Sequence, residues 1–143
     1  MKILVINGPN MNLLGRREPE IYGRITYDEL LEKIRDWAGE LNMAVDFFQS
    51  NHEGALVDAI QEAFGKYDGI LINPAAYTHT SIAILDALKA VGLPAVEVHL
   101  TNPGIREPFR HISYAGLACE ISFVGLGPEG YRQGLEYLRK RLL

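Results

Sequence analysis

KILVIN, at residues 2–7, is an almost entirely apolar stretch near the start of the chain. A strand without alternating polar residues is expected where helices cover both faces of a parallel sheet. This stretch therefore predicts a central strand of an α/β protein. The polar segment NGPNMNLLGRREPEIYG, at residues 7–23, overlaps its end and has almost nothing with which to build a core, so we interpret this segment as a binding loop or lid.

The rest of the chain alternates predicted strands with predicted helices. The other strands are AVDFFQS (44–50), GILIN (69–73), AVEVHL (95–100) and EISFVG (120–125). This alternation, in 143 residues, predicts one flavodoxin-like α/β domain over residues 1–143, a doubly wound five-stranded parallel sheet with strand order 2-1-3-4-5. Ligands of such sheets bind at the carboxyl ends of the strands, where the order reverses between strands one and three.

Apolar residues at helical spacing mark the helices, and polar residues mark their beginnings. Thr26 and Glu29 predict a capping box, and Asn51 is the predicted cap of the second helix. Thr80 or Ser81 is expected to cap the third. The predicted core positions are Leu30, Ile34, Trp37 and Leu41, then Leu56, Ile60 and Phe64, then Ile82, Leu85 and Leu88, and last Tyr131, Leu135, Leu138 and Leu142.

Composition restricts the kinds of partner. The net charge is -4 and the basic residues are scattered, which disfavours nucleic acid and anionic membranes and favours a small ligand. The single cysteine, Cys119, excludes an intrachain disulfide, and the first residues lack a signal-peptide pattern. No apolar run approaches the length of a membrane span. We therefore expect a cytoplasmic protein.

Glu97 and His99 are the strongest candidates for chemistry. They lie two residues apart, and therefore on the same face of an otherwise apolar strand. Burial of a carboxylate and an imidazole is unfavourable unless they pair, and the paired carboxylate fixes the tautomer of the imidazole. Because His99 lies at the carboxyl end of the strand and faces the predicted cleft, we favour a catalytic acid over the alternative, a core pair with no catalytic role.

Arg17 and Tyr22 are the candidates for a catalytic base in the polar loop. A phenol is a poor base at neutral pH, but a nearby guanidinium favours the tyrosinate. The alternative is that Tyr22 packs the loop against the domain and that Arg17 is a solvated charge. The expected position of the loop beside His99 favours the base.

Two further segments bring polar residues to the same edge of the sheet. NPAAYTHTS, at residues 73–81, precedes a helix N-terminus that suits hydroxylated or anionic ligands, although simple capping also explains its hydroxyls. Arg106 and Arg110 lie four residues apart beyond strand four, a spacing that could direct one guanidinium at a substrate oxygen.

Several classes of chemistry lack their motifs. No glycine-rich phosphate loop follows strand one, and no serine lies in a nucleophile elbow. His79, His99 and His111 lack the spacing of a metal cluster. The sequence therefore predicts acid and base chemistry without a metal or cofactor.

Six segments together resemble one enzyme family. NGPNMNLLGRREPEIYG, QSNHEG, NPAAYTHTS, EVHLTNP, REPFRHIS and VGLGPEGY are similar, in order and spacing, to type II 3-dehydroquinate dehydratase across essentially the whole chain. The resemblance implies a hydro-lyase that removes water from 3-dehydroquinate by anti elimination through an enolate, giving 3-dehydroshikimate. This is a cofactor-independent step of the shikimate pathway, serving either aromatic biosynthesis or quinate breakdown.

The resemblance also implies roles for individual residues. Tyr22 would be the base and Arg17 the cation that keeps it ionised. His99, oriented by Glu97, would protonate the leaving hydroxyl, and Asn10 would hold a water beside the enolate oxygen. The implied substrate-binding residues are Asn73, His79, Leu100, Thr101 and Arg110, with Arg106 in support.

Asp86 matches a family residue that reaches the site of a neighbouring subunit. The resemblance therefore implies trimers, commonly assembled four at a time into a dodecamer. A function of another class is the alternative: a catalytically silent protein that binds a polyhydroxylated acid or serves as an assembly scaffold. The presence of Tyr22, Arg17 and His99 favours the enzyme.

Overall fold

The computed structural model describes residues 1–16 and 18–143, apart from the side chains of Pro19 and Tyr22. The strands in these residues are β1 (Lys2–Asn7), β2 (Ala44–Gln49), β3 (Gly69–Asn73), β4 (Ala95–His99) and β5 (Ile121–Val124). They form one parallel sheet in the order β2-β1-β3-β4-β5. The predicted fold class and strand order are therefore confirmed.

The helices lie between these strands and after the last. They are α1 (Pro19–Tyr22), α2 (Tyr27–Glu40), α3 (Glu53–Ala63), α4 (Ile82–Val91) and α5 (Glu129–Leu142). The predicted capping box of α2 is present, since Glu29 N donates to Thr26 Oγ1 at 3.2 Å and Thr26 N donates to Glu29 Oε1 at 3.4 Å. Short 3₁₀ turns occur at Met11–Leu13, Ala75–His79, Pro103–Ile105, Pro108–Arg110 and Ala115–Ala118.

The sheet is covered on both faces, as the apolar first strand predicts. Alternate residues of β1 enter different apolar clusters: Ile3 packs with α2 and α5, and Leu4 packs with α3 and α4. Both side chains are buried. Because β1, β3 and β4 have no solvent-facing side, their polar residues are restricted to the ends of the strands or must pair.

The predicted cap of α3 is wrong. His52 occupies the cap position, and the side chain of Asn51 lies elsewhere. Its Oδ1 accepts a hydrogen bond from Asn10 N at 3.0 Å, and its backbone carbonyl accepts one from Tyr77 OH at 2.8 Å. Asn51 therefore joins the loop after β2 to the loops after β1 and β3 instead of starting a helix.

The prediction that Phe64 and Ile82 are core residues is also wrong, because both side chains are exposed. Helix α3 ends at Ala63, and the side chain of Phe64 is 68% exposed. Ile82 is 55% exposed, because it is the first residue of α4 and the buried face of that helix begins at Ile84. Ser81 is the cap of α4, with its Oγ accepting from Ile84 N at 2.9 Å.

The loops after β1 and β3 touch where the strand order reverses. Gly8 N donates to the carbonyl of Asn73 at 2.8 Å. A Cβ at Gly8 would lie 2.3 Å from the carbonyl oxygen of Pro74, so only glycine allows this approach. None of the helices in the described residues has the length and apolar character needed to cross a membrane.

Candidate active site

A cleft of about 180 Å³ opens at the carboxyl ends of β1, β3 and β4, where the strand order reverses. The three segments that sequence reasoning expected to meet, NGPN, NPAAYTHTS and EVHLTNP, all contribute to its walls. The predicted site residues that line the cleft are Asn10, Asn73, His79, His99, Leu100, Thr101, Arg106 and Arg110.

The other predicted site residues have different positions. Glu97 is 2% exposed and lies behind His99. Asp86 is exposed on α4 and is not part of the cleft wall. Arg17 is outside the described residues, and of Tyr22 only the backbone, at the end of α1, is described. The roles of Arg17 and Tyr22 therefore stay predictions.

The buried carboxylate of Glu97 is surrounded by hydrogen-bond donors. Its Oε2 lies 2.9 Å from His99 Nε2 and accepts from Thr78 Oγ1 at 2.7 Å. The hydroxyl of Ser113 donates to the same oxygen, and Ser122 Oγ donates to Oε1 at 2.6 Å. Donors on both oxygens hold the carboxylate in one orientation.

These donors also set the charge of Glu97. Burial acts to raise the pKa of the carboxyl, but hydrogen bonds from His99, Ser113 and Ser122 and the charge of His99 outweigh burial and lower the pKa to about 2. Glu97 is therefore ionised at neutral pH and can only accept hydrogen bonds. His99 Nε2 must then carry a hydrogen, so a proton that His99 gives to a substrate leaves from Nδ1.

His79 presents a hydrogen-bond acceptor to the cleft, whereas His99 presents a proton donor. Its Nδ1 lies 2.7 Å from the carbonyl oxygen of Ile112, and a carbonyl can only accept, so Nδ1 is the donor. Burial lowers the pKa of His79 despite this hydrogen bond, and the nearby charges of His99 and Arg110 lower it further. His79 is therefore neutral at pH 7, and its Nε2 is an acceptor suited to a substrate hydroxyl.

Local structure positions Asn10 and Arg110 at the cleft. Asn10 adopts a left-handed backbone conformation, with a φ of 68°, which asparagine tolerates better than most residues. Arg110 Nε donates to Glu107 Oε2 at 2.5 Å, and the guanidinium stacks 5.1 Å from the ring centre of Phe109. Both contacts restrict the arginine before any ligand binds.

Sequence reasoning missed the residues that support the site. Thr78, Ser113 and Ser122 look like ordinary loop or strand hydroxyls in the sequence, and only the register that pairs Glu97 with Ser122 places the latter beside the carboxylate. Tyr131 was predicted as an apolar core position of α5. Its ring is indeed buried, but its hydroxyl reaches Asn7 and Asn73 below the cleft.

Comparison with known proteins identifies the family to which this chain is similar. The model of the class II dehydroquinase family matches residues 1–139. The 3-dehydroquinate dehydratase of Bartonella tribocorum is 50% identical over 141 residues, 99% of this chain and 95% of that protein. The catabolic 3-dehydroquinase of Aspergillus clavatus is 52% identical over 136 residues, 95% of this chain and 91% of that protein.

Solved structures agree with the sequence comparison. The crystal structure of a type II dehydroquinase from Butyrivibrio crossotus superimposes with a TM-score of 0.95 at 50% identity and covers 96% of this chain and 97% of that one. The chain belongs to the class II dehydroquinase family.

Proposed function

We propose that this chain is a hydro-lyase that converts 3-dehydroquinate to 3-dehydroshikimate in the shikimate pathway. The proposal is supported by relatives named 3-dehydroquinate dehydratase, about half identical over nearly the whole chain. The observation that carries it is the ionised Glu97 held 2.9 Å from His99, a residue that lines the cleft. A carboxylate in this position orients the imidazole through Nε2 and leaves Nδ1 to deliver the proton that a general acid supplies.

The chemistry consists of two proton transfers. The phenolate of Tyr22, kept ionised by Arg17, removes a proton from the carbon beside the ketone, and the electron pair forms an enolate. A water held by Asn10 stabilises the enolate oxygen. The enolate then collapses, the carbon–oxygen bond to the leaving hydroxyl breaks, and His99 supplies the proton that releases the hydroxyl as water.

Substrate binding is assigned to the polar walls of the cleft. We place the ring hydroxyls near Asn73, His79 and Arg110, and the carboxylate near Leu100 and Thr101. The neutral state of His79 suits a hydroxyl, whereas the cationic Arg110 suits an oxygen of either kind. No step of this scheme transfers an electron or needs a Lewis acid, so we expect turnover by protein dialysed against a chelator.

Assembly belongs to the same proposal. Asp86 is exposed on α4, away from the cleft of its own chain, so it is available to reach the site of a neighbouring subunit. We expect single-domain subunits that form trimers and then a dodecamer, with sedimentation velocity as the test. The cytoplasmic location expected from the sequence stays a prediction.

Absorbance of the conjugated enone in the product tests the activity directly. Purified protein mixed with 3-dehydroquinate should produce a rise in ultraviolet absorbance, and Tyr22→Phe should abolish the rise while substrate binding persists. Calorimetry would measure that binding. Binding without any rise by the wild-type protein would favour the silent binder and contradict the proposal.

A further inference from the structure

Tyr131 carries a polar group where packing needs none. The side chain is fully buried on α5, and phenylalanine would fill the same space without a hydroxyl to desolvate. The hydroxyl donates to Asn7 Oδ1 at 2.5 Å and accepts from Asn73 Nδ2 at 3.1 Å. These partners lie 124 and 58 residues away in the sequence, so the phenol joins distant parts of the chain.

The direction of these hydrogen bonds follows from one backbone group. Ala75 N can only donate, and it donates to Asn73 Oδ1 at 3.1 Å, which identifies the oxygen and nitrogen ends of the Asn73 amide. Nδ2 of Asn73 therefore faces Tyr131, and the phenol must give its own proton to Asn7. Burial raises the pKa of Tyr131, so the phenol keeps that proton at all ordinary pH values.

The chain of hydrogen bonds ends at the cleft. Asn7 and Asn73 are the paired last residues of the neighbouring strands β1 and β3, and Asn73 lines the cleft. The second N–H of Asn73 faces the sulfur of Met11 at 3.6 Å, and a thioether is a weak acceptor. A substrate oxygen is a better acceptor and could replace the sulfur without disturbing the other hydrogen bonds.

We propose that Tyr131 is a positioning residue that, through the Asn7–Tyr131–Asn73 chain, holds the Asn73 amide with its second N–H directed at a substrate oxygen. The inference rests on the proposed function. Without the phenol, the amide is held only by Ala75 N at Oδ1 and by the weak Met11 sulfur at Nδ2, so it can rotate and turn its N–H away from the cleft. Substrate binding should suffer and the chemical step should not, because Tyr131 does not touch the reacting groups.

Kinetics of Tyr131→Phe test the proposal. We expect KM for 3-dehydroquinate to rise roughly tenfold, because losing one hydrogen bond to the substrate weakens binding by about that factor. We expect kcat to change by less than about twofold. Tyr137→Phe is the matched control, since Tyr137 is also on α5 but its hydroxyl binds Glu120 at the surface. That control should keep the wild-type KM.

A double-mutant cycle separates positioning from simple loss of stability. In an Asn73→Ala background, Tyr131→Phe should leave KM unchanged, because the phenol acts only through Asn73. An equal rise of KM in both backgrounds would overturn the inference. Should Tyr131→Phe fail to fold, Asn7→Leu removes the acceptor of the phenol proton and should raise KM in the same way.

The wild-type measurement keeps the two proposals apart. Wild-type turnover with an unchanged KM in Tyr131→Phe would overturn the role of Tyr131 alone. Absence of wild-type turnover would overturn the proposed function and this inference with it.

Discussion

The Nε2 atom of His99 lies 2.9 Å from Oε2 of Glu97, and both side chains lie on the same face of β4. Hydroxyls from three other segments hold the same carboxylate. The carboxylate is therefore the fixed member of the pair, and His99 is the member that can exchange a proton at Nδ1. This relationship is the basis of the catalytic scheme.

Glu97→Gln should lower kcat by roughly a hundredfold, the usual scale for general acid catalysis, with little change in KM. The amide keeps the size of the carboxyl and an acceptor oxygen for His99, but it lacks the negative charge that strengthens the hydrogen bond from Nε2 and holds the ring in place. Steady-state kinetics measure the effect. Glu120→Gln, at an exposed position just before β5, is the control, and a wild-type kcat in Glu97→Gln would contradict the assigned role.

The same carboxylate should make stability depend on pH. The folded pKa of Glu97 is about 2, below the ordinary value of 4.5, so the unfolded chain binds more protons in this range. The contribution of the ionised Glu97 to the free energy of unfolding is complete above pH 4.5 and is lost as the pH falls toward 2. Urea unfolding at a series of pH values should show this loss in the wild type, whereas Glu97→Gln should lack that part of the slope. Equal slopes would count against an ionised buried Glu97.

Gly8→Ala should destabilise the protein and reduce its activity. The new methyl group would press on the carbonyl oxygen of Pro74 and separate the two loops that form the cleft. We expect a loss of about 1–3 kcal/mol in the free energy of unfolding, typical of an overpacked site. Gly54→Ala, in a helix where the added Cβ meets nothing within 4 Å, should change stability by less than about 1 kcal/mol. Comparable values for both variants would refute the close contact as the reason for Gly8.

His79→Asn should raise KM by roughly tenfold, because the amide can still donate to the Ile112 carbonyl but lacks the acceptor at Nε2. The wild-type KM should stay constant above pH 6.5 and rise only below the lowered pKa of His79, where Nε2 becomes protonated. The variant should lack this acid-side rise. His52→Asn, at the exposed start of α3, serves as the control, and the same acid-side rise in His79→Asn would contradict the assignment.

The sequence predicts the sheet and its polar edge because both depend on local patterns. Apolar runs such as residues 2–7 define central strands, and the strand order follows from the handedness of the connections. The hydroxyls around Glu97 and the phenol of Tyr131 could not be predicted, since their contacts depend on strand register and on how α5 packs across the sheet. Asn51 shows the converse case, in which tertiary contacts override a local capping preference.

A crystal structure with a substrate analogue is the most direct test of the central claim, that a base and an acid act on opposite faces of one bound ring. We predict the Tyr22 hydroxyl beside the carbon that loses its proton, and Nδ1 of His99 within hydrogen-bonding distance of the leaving oxygen on the other face. An analogue bound in the cleft with His99 out of reach, or with both groups on one face of the ring, would contradict the account.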